Sequence, residues 1–377
     1  MDSIATDFVE RVTGLQDFGD LQAQKSIAGK FGVFADHFAS NRFDFYIHFS
    51  PSDSKCFIHI SKHLPNDACP MAYAEKNIKF MQNLRINMAP TVRSGQREIP
   101  FEESLFDKLK KFSIHALMTE MELGDSGACR DMDDDESTYF SRICSNLSIL
   151  SKSVDALKVQ VNKRSDGFVD LVSTILESDK VRSFQLDSNS CSEEYRESIR
   201  TLFFKPSFET LFIESSTNNL DETLIPALID DWLRKERKID RKFVCSYKTQ
   251  LLGKYKGFKR QEDFDWDDYD FPESVGDLTI PEWIRAQIEN HIHFEYTPTA
   301  RFFRLEHPKI PNYFACLTLI VDLNNIMEEF DDIKGEFEAN DGNEEEYQEY
   351  LCNKVEQMDD LDFASRTQFY YLFFCEK

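Results

Sequence analysis

Two histidine–serine motifs stand close together in this 377-residue chain, His48-Phe-Ser50 and His59-Ile-Ser61. One imidazole on each wall of a cleft could divide the acid and base work of phosphoester hydrolysis between them. That chemistry needs two strands separated by a large part of a domain. Here the histidines are 11 positions apart, on either side of the turn-rich link Ser50-Pro-Ser-Asp-Ser54. Residues 43–49 and 55–61 alternate apolar and polar at strand period, so the spacing predicts a β-hairpin with the histidines as polar cross-strand neighbours.

A second pair, His291-Ile-His293, places two imidazoles on one face of a strand, a spacing that zinc accepts, but no third ligand stands at a convincing distance. The run Asp263-Phe-Asp265-Trp-Asp267-Asp-Tyr-Asp270 opens like a calcium loop, with oxygens at positions 1, 3 and 5. Its sixth position is Asp268 where the turn needs Gly, and its twelfth is Ser274 where a bidentate Glu belongs, so it is no EF-hand. The alternation of acids with aromatics reads instead as a docking strip for a basic partner, carried by Phe264, Asp265, Trp266, Asp267 and Tyr269. Just before it, residues 234–260 hold eleven Lys or Arg and two acids. That cluster fits a nuclear-import signal, an anion site, or cations that complement a helix C-terminus beside the acidic run. The chain has no phosphate-binding glycine loop, no G-x-S-x-G and no H-E-x-x-H. No catalytic residue, cofactor or metal is therefore assigned, and the expectation is a protein that is not an enzyme. A histidine-dependent phosphoesterase or metalloenzyme using His48, His59, His291 or His293 is the alternative.

The elements that position these residues carry a stronger signal. Val154-Asp-Ala-Leu157-Lys-Val159, Val181-Arg-Ser-Phe184-Gln-Leu186 and Phe208-Glu-Thr-Leu211-Phe-Ile213 recur every 27 residues. Each is apolar at relative positions 1, 4 and 6, and position 9 is Asn162, Asn189 and Ser216. Positions 4 and 6 of a short strand face the same way into a core. A side chain such as Asn can then satisfy backbone groups where the chain turns away. The intervening helices share the period, with Ile175, Leu202 and Ile229 again 27 apart. A fixed period of this length predicts an α/β solenoid of leucine-rich-repeat-like units, made of short parallel strands and helices. Position 11, ordinarily Leu, is Arg164, Cys191 and Asn218, which marks a diverged array. A strand within 112–117 is expected before the repeats, and another over 242–247 after them.

Composition sets the outer bounds. A net charge of −24 excludes a surface that neutralises nucleic-acid phosphates or anionic lipid, so neither nucleic acid nor membrane is an expected partner. Nine cysteines without a C-x-x-C suit reduced thiols in the cytoplasm or nucleus. No signal peptide and no membrane span is expected, since the first residues contain acids and no apolar run reaches 18 residues.

Residues 1–40 read as helical, 41–101 as the hairpin followed by a helix near 71–85, and 102–250 as the repeats. Residues 251–322 read as a C-terminal β cap, with strands at 291–296, 301–305 and 313–321. Residues 323–377 read as an acidic segment ending in a strand over 368–375.

Met1-Asp-Ser-Ile with Phe8-Val-Glu-Arg-Val12, then Asn41-Arg-Phe-Asp-Phe-Tyr-Ile-His48, resembles a large family of F-box-associated proteins expanded in nematodes. The tail segments Arg304-Leu-Glu-His-Pro308 and Asn312-Tyr-Phe are similar to that family too. The resemblance implies an N-terminal F-box-like segment packed through Phe8, Val12, Leu15 and Leu21, followed by repeat-like units. It further implies protein interaction as the role, with a Skp1-like adaptor as partner and substrate recruitment to a cullin-RING ubiquitin ligase as the task. Taken with the residues themselves, the expectation is a non-catalytic protein-interaction module that grips a partner protein through its repeat surface.

Overall fold

Leu105, Phe106, Leu109 and Phe112 recur at helical spacing and all four are buried. That spacing outweighs the strand-like look of residues 112–117, which form the last turn of a helix and the bend after it. The computed structural model describes residues 6–16, 18–27, 29–51, 54–62, 69–88, 96–124, 134–160, 166–187, 193–213, 219–236, 238–239, 241–247, 251–265, 272–289, 299–321, 350, 353–355, 357–367 and 369–376. The chain divides into two compact units, residues 1–184 and 185–377. The division falls inside the 102–250 stretch that carries the repeats.

In the first unit three helices come first, α1 (Thr6–Gly14), α2 (Phe18–Gln24) and α3 (Lys30–Asn41). The hairpin β1 (Phe43–Ser50) and β2 (Lys55–Ile60) follows, with Tyr46 opposite His59 and His48 opposite Phe57. Next come α4 (Pro70–Lys76), β3 (Met81–Met88), β4 (Arg97–Ile99), α5 (Glu103–His115) and β5 (Met118–Leu123). Then α6 (Asp134–Leu147), β6 (Ala156–Gln160) and α7 (Asp166–Leu176) complete it. The helix expected near 71–85 stops at Lys76. From Met81 the polar residues Asn83, Arg85 and Asn87 alternate with Leu84, Ile86 and Met88, and that period of two makes a strand.

The strand order here is β6-β5-β3-β1-β2-β4, parallel from β6 to β1 and antiparallel from β1 to β4. Register partners share a face. Ile47, Ile86, Met121 and Leu157 form one buried row, and Phe49, Met88, Leu123 and Val159 the next. The helix α5 lies against this face: Phe112 meets Phe45 edge-on at 5.2 Å and Phe106 stacks on Phe49 at 5.7 Å. Each such wholly buried side chain is worth about 1.5–3 kcal/mol of transfer free energy.

The second unit takes up most of β7 (Ser183–Asp187), then α8 (Glu193–Phe203), β8 (Thr210–Ile213), α9 (Asn219–Arg234), β9 (Phe243–Tyr247) and α10 (Leu251–Lys254). After these come β10 (Lys259–Asp265), the small hairpin β11 (Ser274–Val275) and β12 (Leu278–Thr279), and α11 (Glu282–Glu289). Last are β13 (Thr299–Glu306), β14 (Tyr313–Val321), α12 (Asp360–Arg366) and β15 (Phe369–Glu376). Its strand order is β7-β8-β9-β15-β14-β13-β10. The pair β8–β9 is parallel, and every pair from β9 to β10 is antiparallel. The protein is thus mixed α/β, with parallel strands through its middle and an antiparallel C-terminal set.

Both faces of this second sheet are covered. On one, Phe374 meets Phe203 of α8 at 6.1 Å and Trp232 of α9 at 5.2 Å. On the other, Phe212, Phe302, Cys316, Tyr371 and Phe373 pack with Val275, Leu278, Ile284 and Ile288.

The interval read from the sequence reappears in the elements. The strands β6, β7 and β8 begin at Ala156, Ser183 and Thr210, and the helices α7 and α8 at Asp166 and Glu193. Within the first unit the amides of Arg182 and Ser183 donate to the Asp155 carbonyl at 2.7 and 3.2 Å, which ties the start of β7 beside the approach to β6. Asn162, Asn189 and Ser216 lie outside the described residues, as does the strand expected at 291–296.

Candidate recognition surface

The face of the first sheet opposite α5 is built from the polar half of the same alternation. Register puts His59, Tyr46, Arg85, Glu120 and Ala156 in one row across β2, β1, β3, β5 and β6. The next row holds Phe57, His48, Asn87, Glu122 and Lys158. Neighbours within each row interact. The Arg85 guanidinium sits 5.4 Å from the centre of the Tyr46 ring, and its Nε is 3.1 Å from Glu120 Oε2. Asn87 Nδ2 donates to Glu122 Oε2 at 2.7 Å, and Lys158 Nζ lies 3.7 Å from Glu122 Oε1. Below the first row, Asp44 accepts from Asn83 Nδ2 at 3.0 Å and from the Tyr46 hydroxyl at 3.3 Å.

These side chains are held yet partly open to solvent: Arg85, Glu120, Glu122 and Lys158 are 29–42% exposed. Partial burial raises the Glu120 carboxyl above its ordinary range; Arg85 opposes this, while the charges of Asp44 and Glu122 add to it. Burial likewise raises the Tyr46 phenol. The surface offers paired donors and acceptors, the three carboxylates of Asp44, Glu120 and Glu122, two cations and the rings of Tyr46 and Phe57. That is the repertoire of a recognition surface, where fixed aromatics anchor and charges set register.

His48 and His59 share this face as diagonal cross-strand neighbours. His48 is buried with its ring 6.4 Å from Phe57, and His59 is exposed with its ring 5.7 Å from Tyr46. Among the described residues no three His, Cys, Asp or Glu side chains gather as a metal site. His291 and His293 lie outside the described residues.

Of the acid–aromatic strip, Phe264 and Asp265 close strand β10, whereas Trp266, Asp267 and Tyr269 lie outside the described residues. Among the F-box-like packing residues Leu21 is fully buried, Val12 half-buried and Leu15 75% exposed. Phe8 falls in α1, and its side chain is outside the described set. Within the basic cluster, the described cations Lys242, Arg234 and Lys254 have structural partners. Lys242, 1% exposed, donates to the carbonyls of Lys205, at 2.7 Å, and Phe208. Arg234 pairs with Asp231 at the end of α9, and Lys254 approaches Asp230 at 3.9 Å.

Arg85, the pair Glu120 and Glu122, and Lys158 escape a reading by motif, because they come from three strands far apart in sequence. The signal that marks them is the polar half of a strand alternation, Arg85 with Asn87 and Glu120 with Glu122.

No protein-family model matches the chain, and neither a curated protein nor a solved structure matches it.

Proposed function

We propose that the chain is a non-catalytic protein-interaction module, a diverged leucine-rich-repeat-like array that binds a partner protein on the polar face of β1, β3, β5 and β6. The observation that carries this reading is the two-row register of part-exposed Tyr46, Arg85, Glu120, Asn87, Glu122 and Lys158, backed by strands and helices that start at a 27-residue interval. A sheet that buries one face on helices and leaves the other polar presents side chains in a fixed grid, which suits recognition of another protein. The test is affinity purification with the wild type and with Tyr46→Ala/Glu122→Lys, both checked for folding by circular dichroism. Partners that vanish selectively with the variant support the reading, and identical partner sets refute it.

A second reading has its own observation. Among the described residues of the N-terminal helical segment, three large apolar side chains are exposed: Leu15 at 75%, Ile27 at 42% and Val33 at 69%. Such residues on α1–α3 and their connections fit an F-box-like segment that docks on a Skp1-like adaptor. Leu15→Asp/Val33→Asp then abolishes adaptor capture while leaving the partners of the sheet face in place. Adaptor capture that survives the double variant ends this reading.

A further inference from the structure

We propose that Cys316 and Cys375 are a reversible dithiol–disulfide site, oxidised by a peroxide and closing as a clamp between β14 and β15. This stands independently of the protein-binding reading above. In the β14–β15 pairing Cys316 is opposite Phe373 and Cys375 is opposite Phe314, so the two thiols are diagonal neighbours on one face of the second sheet. Their sulfur atoms are 3.5 Å apart, one thiol donating to the other, inside the apolar cluster that includes Phe302, Tyr371, Phe373 and Ile284.

The two cysteines are not equivalent. Cys316 has no exposure and lies between β13 and β15, paired on both sides. Cys375 keeps 7% exposure and stands past the stretch in which β15 pairs with β9, which runs from Phe369 to Phe373. An oxidant therefore meets Cys375 first, because access selects which thiol reacts. A disulfide of about 2.05 Å requires the two sulfurs to close by about 1.5 Å. The end of β15, paired on the β14 side alone, has the slack for that movement. The bond closes a loop across 59 positions, and a loop of that length takes freedom from the unfolded chain.

The chemistry runs in two steps. Hydrogen peroxide oxidises the Cys375 thiol to a sulfenic acid and is itself reduced to water. The Cys316 sulfur then attacks the Cys375 sulfur, whose S–O bond breaks as the Sγ–Sγ bond forms. The departing hydroxide takes the Cys316 proton and leaves as a second water, so two thiols and one peroxide give one disulfide and two waters. Burial holds the Cys316 thiol well above its ordinary range, with the hydrogen bond and charge of Cys375 adding to this and Arg304 opposing it. It therefore keeps its proton until the hydroxide claims it. Contact between the two sulfurs supplies the proximity that makes the second step fast.

The experiment treats the folded full-length protein with hydrogen peroxide, blocks the remaining thiols with N-ethylmaleimide and maps the digest by mass spectrometry. A peptide pair joined through Cys316 and Cys375 is expected, formed at least about tenfold faster than oxidation of the buried Cys56 or Cys144. Dithiothreitol should restore both thiols, and the oxidised protein should unfold at a urea concentration about 1 M higher than the reduced one. Cys316→Ala, checked for folding by circular dichroism, should leave a Cys375 sulfenic acid that dimedone labels several-fold more strongly than in the wild type. If that variant does not fold, the wild-type map decides alone. Absence of the joined pair, a pair that forms only in urea, or preferential joining to another cysteine overturns the site. An unchanged or lowered urea midpoint overturns the clamp.

Discussion

His307 Nε2 and the Trp232 carbonyl lie 2.9 Å apart across 75 positions of sequence. A carbonyl only accepts, so the imidazole proton sits on Nε2. Its Nδ1 then accepts the amides of Lys309 and Ile310, both at 3.1 Å. Trp232 is in the last turn of α9, where its carbonyl also accepts the Lys235 amide at 3.0 Å, so the histidine adds a second donor to the helix end from a distant turn. His307→Phe keeps a ring against Trp232 but strands the amides of Lys309 and Ile310 and removes one of the two donors to the Trp232 carbonyl. Urea denaturation should show a loss of about 2–4 kcal/mol, whereas a loss below about 1 kcal/mol would mean that water replaces the cap.

Asp231 gives the protein an acid limit. The guanidinium of Arg200 beside it holds its carboxyl below the ordinary range against the opposing effect of burial, with Arg234 and Lys235 adding to the lowering. Arg200 Nη2 meets Asp231 Oδ1 at 2.8 Å while its Nε bonds the other oxygen. A carboxyl lowered in the folded state contributes stability that is complete above its unfolded range and is lost as pH falls through the folded value. Asp231→Asn should cost about 1–2 kcal/mol near neutral pH, and its stability should decline less steeply in acid than the wild type's. Parallel acid titrations of the two proteins would contradict this.

The second sheet is pinned to α12 by a cation with no exposure at all. Arg301 donates to the Val355 carbonyl at 2.9 Å and to Asp360 Oδ1 at 3.3 Å, and its guanidinium lies 4.2 Å from the centre of the Phe363 ring. Because Asp360 is 41% exposed, Asp360→Asn should cost only about 1 kcal/mol. Arg301→Ala should cost about 3–5 kcal/mol through the cavity and the stranded carbonyl, and Arg301→Met less, since it refills the space. Equal losses for all three would place the stability elsewhere.

Gly32 sets two effects against each other. Alanine is the better helix former by about 1 kcal/mol. A Cβ at this position of α3, however, would stand 1.9 Å from the Ile27 carbonyl oxygen, which is backbone and cannot step aside. Gly32→Ala should therefore lower stability by more than about 2 kcal/mol. If residues 1–40 hold the adaptor, the same change should weaken its capture; an unchanged or raised melting temperature would mean that the turn before α3 can relax.

Local pattern made much of this fold legible. The alternation in Phe43–Phe49 and Lys55–Ser61 is a hairpin, and the 27-residue interval reappears as strand and helix starts. Where two periods overlap, reading was poorer. Phe112, Ile114 and Leu117 look like a strand until the helical spacing of Leu105, Phe106 and Leu109 is counted with them. Ile78, Met81 and Leu84 fit a helix until Asn83, Arg85 and Asn87 are weighed. The polar face lay beyond reach for a different reason. Tyr46, Arg85 and Glu120 become neighbours through inter-strand register, which is fixed by packing on the far side of the sheet and leaves no local mark on these residues.

The contrast between the two sheets has a consequence for how this chain can diverge. In the second unit both faces are core, so any inward change there risks the fold. In the first, the residues that hold the sheet together and those that meet solvent alternate one by one along each strand. The part-exposed positions Tyr46, Arg85, Glu120, Glu122 and Lys158 can therefore be rewritten with little effect on folding, unlike the buried His48 beside them. A lineage can acquire new binding partners there by point substitution while its scaffold stays unchanged.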